Sequence, residues 1–173
     1  MPRVPFLELD KMPAEDQAKV RAVLGPTSDF RRPFSVLLHS PEGAARYLHL
    51  SNYNREASTI DPRTRELVIL VVALGWASEY IWEAHAAAAR RLGVGDDVIA
   101  AIRDKKIPPD LTKEAPYLRF AQELVQNRKI ADSTFEAVRQ VAGDRGAVDL
   151  TLLIGYYTMQ AHTLAALEVE RER

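Results

Sequence analysis

The stretch from Arg65 to His85, RELVILVVALGWASEYIWEAH, places a carboxylate and an imidazole at the two ends of an apolar run. Glu66 precedes twelve consecutive residues that carry no charge, and His85 follows after a polar, aromatic segment. A histidine exchanges protons readily near neutral pH, and a nearby carboxylate orients the ring and stabilises its charged form. We therefore take Glu66 and His85 as the candidate acid–base couple.

Other candidate residues share a helix face with His85. Ser78, Ile81, Trp82 and His85 follow the i, i+3, i+4, i+7 spacing of one side of a helix. A serine hydroxyl and the unpaired amides of a helix start suit a small anionic or carbonyl-bearing ligand. The catalytic candidates are thus Glu66, His85 and Ser78, and the substrate-binding candidates are Tyr80, Ile81, Trp82 and His162.

The elements that must position these residues are two consecutive helices. Asp61 is placed to cap the first and Pro62 suits its first position, so a helix is expected from Pro62 to about Trp76. Ser78 opens the second, which ends at Gly93. Helices joined so tightly commonly fold back on each other. Glu66 and His85 would then lie about 15 Å and about 10 Å from the break, at 1.5 Å per residue.

The remaining chain also reads as helical, and alternating strand patterns and hairpin signals are missing. We predict an all-α domain over residues 1–173 with about eight helices, in which Asp96 and Asp132 cap helices and residues 143–146 form a turn. The segments 67–77 and 150–167 are too apolar to face water on any side. Burial between subunits is the favoured explanation, and two central helices in a monomer is the alternative.

Composition excludes several functions. The 173 residues carry 23 basic and 24 acidic side chains, and this balance gives no sign of nucleic-acid or anionic-membrane binding. The absence of cysteine excludes disulfides, thiolate nucleophiles and zinc–thiolate sites. The four histidines show no metal-binding spacing, so we predict neither metal nor cofactor. The longest apolar run is shorter than the roughly 20 residues that span a bilayer, and no signal peptide is visible, so a cytoplasmic location is expected.

The segment RTRELVILVVALGWASEYIWEAHAAAARRLGVGDDVIAAI, residues 63–102, resembles the carboxymuconolactone decarboxylase family of the alkylhydroperoxidase D-like superfamily. The flanking YLRFAQEL and YYTMQAHTLAALEVE are similar to it as well. The resemblance implies the all-helical fold and a homo-oligomer, either a trimer or a hexamer. The thiol-active branch of the family carries Glu, eleven residues, Cys, two residues, Cys, three residues, His. Glu66 and His85 match its outer positions, whereas Ser78 and Ile81 replace the two cysteines.

The loss of both cysteines determines which activity we expect. Peroxide or disulfide reduction through a cysteine pair has no nucleophile here. The resemblance instead implies the cofactor-free side of the family, in which a carboxylated lactone loses carbon dioxide and the dienolate is protonated. We expect acid–base chemistry on a small carboxylated or lactone metabolite. The alternatives are the peroxidase or peroxiredoxin activity of the superfamily, and a ligand-binding or structural oligomer without catalysis.

Each candidate residue also has a purely structural interpretation. Glu66 can complement the helix dipole from the first turn or pair with Arg63 or Arg65. His85 can be an ordinary helix histidine, and Ser78 only an N-cap. Tyr80 and Trp82 can be packing or interface residues, and His162 can be a core histidine with one hydrogen bond.

Overall fold

The computed structural model of the chain describes residues 2–24 and 33–169, and all regular structure in those residues is helical. The predicted all-α class is therefore confirmed. Short 3₁₀ segments occupy Leu9–Lys11 and Phe34–His39. A non-helical Gly143 interrupts the last α-helix, so the described residues contain eight α-helical segments, the number expected. The α-helices are α1 (Ala14–Leu24), α2 (Pro41–Glu56), α3 (Pro62–Gly75), α4 (Glu79–Arg91), α5 (Asp96–Arg103), α6 (Ala115–Asn127) and α7 (Asp132–Ala166).

These elements divide into two compact units. The first unit comprises the described residues up to Ala57 together with those from Leu164 onward, and the second is Ser58–Thr163. In the first unit α1 packs on α2, and Val20, Leu38 and Ala44 are among the buried residues of its core. The prediction of a single domain stays a prediction.

Helix α3 is the centre of the second unit. Asp61 caps it as expected, because its Oδ1 accepts the backbone N–H groups of Arg63 and Thr64, both at 3.0 Å. Every side chain from Leu67 to Ala73 is buried, and α4, α5 and α6 all pack against this helix. A helix that is apolar all round is stable only when enclosed in this way. Glu66 therefore begins a segment whose position is fixed by packing on all sides.

The turn between α3 and α4 is a Schellman motif. The N–H of Ser78 bonds to the carbonyl of Ala73 at 2.8 Å, and the N–H of Ala77 bonds to that of Leu74 at 3.1 Å. Ala77 has a left-handed backbone with φ of 49°, which costs a residue with a Cβ about 1 kcal/mol. Glycine is the usual residue at this position, as at Gly93 after α4. The short turn brings α4 back against α3.

Two of the predicted caps are wrong, and the predicted turn is reduced to a single residue. Gly95, not Asp96, is the N-cap of α5, because the Asp96 carboxylate is engaged 2.7 Å from Arg90. Asp132 lies in the first turn of α7, whose first N–H bonds reach the carbonyl of Ala131. The two helices predicted on either side of residues 143–146 are separated there, but Gly143 alone departs from helical geometry, with φ of 68° and ψ of −179°. A glycine accepts that conformation without a Cβ clash, so one residue absorbs the break.

The second half of α7 does not share the enclosure of α3. It buries Leu150 and Leu153 completely, but it exposes Val148, Leu152 and Met159 by 58%, 39% and 42%. Both apolar segments were expected to avoid water on every side. Within this chain only α3 does so. Across the residues that the structure describes, no helix combines the length and apolarity needed to cross a membrane.

Candidate functional site

Glu66 and His85 lie in direct contact. The Oε2 atom of Glu66 is 2.6 Å from Nδ1 of His85, a distance typical of a strong, charge-assisted hydrogen bond. The Glu66 side chain is only 8% exposed, whereas the imidazole is 19% exposed. The carboxylate is thus the inner partner of the pair, and the imidazole is the more exposed one.

The contact follows from the two helices and the short turn between them. Glu66 is the fifth residue of α3, so it stands one residue beyond the first turn, and no acidic residue lies in that turn. The interpretation of Glu66 as a first-turn dipole partner is therefore wrong. His85 lies in the second turn of α4, on the side that packs against α3. Nineteen positions separate the pair in the sequence, and the hairpin closes that separation.

The other carboxylate oxygen of Glu66 has a second partner. Its Oε1 lies 3.4 Å from Nε of Arg65, whose side chain is 14% exposed. Arg63 is directed elsewhere, with Nε 2.9 Å from Glu114. Glu66 therefore meets both expectations at once: it contacts His85, and it has the arginine partner that a purely structural role would supply.

The geometry assigns different tasks to the two ring nitrogens of His85. An ionised carboxylate only accepts hydrogen bonds, so an ionised Glu66 requires the hydrogen on Nδ1. The neutral ring then has its lone pair on Nε2, which is the nitrogen able to take or return a proton. The Tyr157 ring meets the imidazole edge to face, with centroids 4.9 Å apart, and Tyr156 packs in the same manner on Tyr157 at 5.1 Å. These rings limit the rotation of the imidazole.

Tyr157 was not among the residues predicted from the sequence. It comes from α7, far along the chain from His85, and no motif spacing links the two. The only available signal was the pair of tyrosines in an otherwise apolar helix. A phenol buried in such a helix commonly serves a specific contact.

Ser78 occupies the N-cap position of α4, but its side chain makes no capping hydrogen bond. The residue is partly buried. Seven residues of helix separate it from His85, which corresponds to about 10 Å along the axis. Ser78 and His85 therefore cannot touch the same reacting atom, and a ligand held by both must extend along α4.

The other candidates on α4 lie in different surroundings. Ile81 is 1% exposed and belongs to the core, while Tyr80 is partly buried. Trp82 is 8% exposed, and the guanidinium of Arg103 lies 4.5 Å from its ring centroid, a cation–π contact. Arg103 also pairs with Glu79 at 2.9 Å, so the indole face is covered by this ion pair. Their roles in substrate binding stay predictions.

His162 is exposed and packs edge to face on Trp76, with ring centroids 4.3 Å apart. The indole Nε1 of Trp76 donates to the hydroxyl of Thr158 at 3.1 Å. The ring of His162 thus contacts the end of α3, and the idea of a core histidine is wrong. Within the described ranges, no three histidine, aspartate or glutamate side chains are grouped closely enough to hold a metal ion.

Comparison with known proteins agrees with the resemblance in the sequence. The model of the carboxymuconolactone decarboxylase family matches residues 41–123, which include Glu66, Ser78 and His85 but not Tyr157 or His162. No curated protein matches the chain significantly.

Solved structures share the fold at low sequence identity. An uncharacterized peroxidase-related protein from Silicibacter sp. TM1040 superposes with a TM-score of 0.79 at 18% identity, covering 99% of this chain and 92% of its own. The alkylhydroperoxidase AhpD core of a peroxidase-related protein from Ralstonia eutropha JMP134 gives 0.77 at 17% identity, with the same coverage. A protein of unknown function from Agrobacterium tumefaciens, with a suggested role in antioxidant defence as AhpD, gives 0.72 at 18% identity, covering 80% of this chain and 96% of its own. At these identities the likeness concerns the fold alone.

Proposed function

We propose that this chain, whose residues 41–123 match the model of the carboxymuconolactone decarboxylase family, is a cofactor-independent acid–base enzyme. Its substrate would be a small carboxylated or lactone metabolite, and its reaction a decarboxylation or a related lyase or isomerase step. The observation that supports this best is the 2.6 Å contact between Glu66 and His85, with the imidazole as the more exposed partner.

In this proposal His85 transfers the proton through Nε2. In the decarboxylation, the bond between the substrate carbon and its carboxylate breaks, carbon dioxide leaves, and the electron pair remains on a dienolate. The protonated His85 ring then gives its Nε2 proton to the dienolate carbon and regains one from solvent. Glu66 holds the hydrogen on Nδ1 and balances the positive charge of the ring. Tyr157 keeps the ring in position.

Ser78 and the first amides of α4 would hold a carboxylate of the substrate. The N-terminal end of a helix offers N–H groups and a favourable dipole to an anion. Because about 10 Å of helix separates Ser78 from His85, the held carboxylate must be remote from the reacting carbon. Tyr80 and His162 would complete the binding surface, and the buried Ile81 and Trp82 would support it from beneath.

Two other functions have specific support. The names of the solved relatives point to antioxidant or peroxidase-related roles, but the 173 residues contain no cysteine to act as the nucleophile. A ligand-binding oligomer without catalysis is supported by the contact between Glu66 and Arg65, which gives the carboxylate a structural reason to be there.

Carboxymuconolactone and related enol acids are the substrates with which to test the proposal. Replacing His85 by Ala should lower the rate about a hundredfold or more, the usual contribution of a general acid or base. Glu66→Gln should lower it less, because Glu66 acts through His85. His49→Ala is the matched control, since His49 is exposed on α2 and belongs to neither group of candidate residues.

The outcomes separate the three functions. Full turnover in both His85→Ala and Glu66→Gln would remove the assigned roles. Turnover of peroxide with thiols by the purified chain would favour the antioxidant function. Absence of either activity in the unaltered protein would favour a binding or structural oligomer.

A further inference from the structure

A groove separate from the Glu66–His85 pair lies in the second unit, where α3, α5 and α6 meet. Its volume is about 370 Å³, within the range of about 300–1,000 Å³ that small-molecule sites usually occupy. Its lining includes apolar residues of all three helices, among them Leu74, Ile102 and Val125, and the polar residues Lys105, Gln122 and Gln126. None of the candidate catalytic or substrate-binding residues contributes to it.

The apolar part of the groove is formed by a close approach of helices. Ile102 and Val71 are 1% and 5% exposed, so they form its floor. A Cβ atom on Gly75 would collide with Val125, which shows that α3 and α6 touch at this point only because Gly75 has no side chain. The floor is therefore packed and fixed before any ligand arrives.

The polar part is held by the end of α5. Lys105 has a left-handed backbone with φ of 61°; its N–H bonds to Ile102 at 2.9 Å, and the N–H of Lys106 bonds to Ala101 at 2.8 Å. The Lys105 carbonyl also accepts a hydrogen bond from Nε2 of Gln122 on α6, at 3.3 Å. This Schellman turn fixes the backbone of Lys105, which is one of the residues that line the groove.

The charge at the groove is unbalanced. Within residues 2–24 and 33–169, no acidic side chain lies within ion-pair distance of the Lys105 ammonium, whereas the adjacent Lys106 lies 3.5 Å from Asp104. Gln122 and Gln126 stand one helical turn apart and add carboxamide donors on the same face of α6. An apolar floor beside one unpaired cation and two amides is complementary to a molecule with a hydrocarbon tail and one anionic head.

We propose that this groove binds a medium-chain monocarboxylate, with its tail on the floor formed by α3, α5 and α6 and its carboxylate at Lys105. Octanoate is the probe. Its binding to the full chain can be followed through backbone amide shifts in NMR titrations. A dissociation constant in the millimolar range or below is expected, with affinity falling about fourfold for each methylene removed from the tail.

Two neighbouring lysines give a matched comparison. Lys105→Met should weaken octanoate binding about tenfold, the loss expected when a charge-assisted contact disappears. Lys106→Met removes the same charge one residue later and should leave binding unchanged, because Lys106 is paired with Asp104. Octanol should bind the unaltered chain about as weakly as octanoate binds Lys105→Met.

Three results would overturn the proposal: no saturable binding up to 10 mM octanoate, equal weakening by both lysine variants, or shifts centred on the Glu66–His85 pair. Circular dichroism of both variants checks that the fold is kept, and both lysines are exposed. Since the groove and the acid–base pair share no residue, His85→Ala should bind octanoate like the unaltered chain. Failure here leaves the proposed enzyme function untouched.

Discussion

At the scale of single residues, Glu66 is the position on which the functional interpretation depends. One oxygen of its carboxylate lies 3.4 Å from the guanidinium of Arg65, and the other lies 2.6 Å from the imidazole of His85. The shorter contact is directed at the group that can exchange protons near neutral pH, and the longer one at a group that cannot. The contact with His85 supports the proposed proton transfer, and the contact with Arg65 supports a structural role.

A contact between residues of two consecutive helices could be predicted from the sequence, whereas contacts with distant segments could not. Glu66 and His85 could be related because one short turn separates their helices, so helix rise alone limits their separation. Tyr157 reaches His85 through the packing of α7, which no spacing encodes. His162 was expected in the core because its neighbours are apolar, yet it lies on the exposed side of α7 against Trp76.

At the scale of elements, the start of α7 depends on a carboxylate from the preceding helix. Glu123 on α6 accepts the Thr134 hydroxyl at 2.6 Å and the backbone N–H of Ala131 at 2.9 Å. These two hydrogen bonds, chiefly the one from Thr134, lower the pKa of Glu123 below its ordinary value of 4.5. A lowered pKa means that ionised Glu123 stabilises the folded chain above pH 4.5, and that this contribution is lost as pH falls through the folded pKa.

Glu123→Gln should therefore lower the midpoint of thermal unfolding near pH 7, and the difference from the unaltered chain should shrink below pH 4.5. Midpoints measured from pH 7 to pH 3 test this. Thr134→Val removes the main cause of the shift, so Glu123→Gln made in that background should show a weaker pH dependence. A difference that stays constant over the whole range would show that Glu123 does not couple to the start of α7.

Helix ends were also where sequence reasoning met its limit. Asp61 was identified correctly as a cap because Pro62 follows it and leaves its carboxylate next to the free amides of α3. Asp96 carries the same type of side chain, but Arg90 lies within reach and engages it. An aspartate caps a helix only when no other donor engages its carboxylate. Which donors lie nearby depends on the tertiary structure. The break between the last two helices was predicted at residues 143–146, but the sequence could not show that Gly143 alone would accommodate it.

At the scale of the whole molecule, the helical class and the family resemblance were both available from the sequence. Periodic apolar segments predicted the number of helices, and the buried run Leu67–Ala73 was recognised because no face of it is polar. The second half of α7 is almost as apolar, yet one side of it is exposed. The sequence could not distinguish a helix enclosed by its own chain from one that offers a face to another chain.

We propose that this exposed face of α7, formed by Val148, Leu152 and Met159, is covered by further copies of the chain in a trimer or hexamer. An apolar stripe of this kind is characteristic of a contact surface. Light scattering coupled to size exclusion should give a mass of several chains, and Leu152→Glu should reduce it. Leu92→Glu is the control, since Leu92 is 43% exposed but lies at the end of α4. A single-chain mass at micromolar concentration for the unaltered protein would exclude this assembly.

The central claim is that Glu66 holds the hydrogen of His85 on Nδ1, so that Nε2 can exchange protons. Nitrogen-15 NMR of the imidazole rings, at a pH where His85 is neutral, reads the position of that hydrogen without knowledge of the substrate. We predict a His85 ring with its hydrogen on Nδ1, and a shift of the hydrogen toward Nε2 in Glu66→Gln. A His85 ring that carries its hydrogen on Nε2 in the unaltered protein would contradict the account.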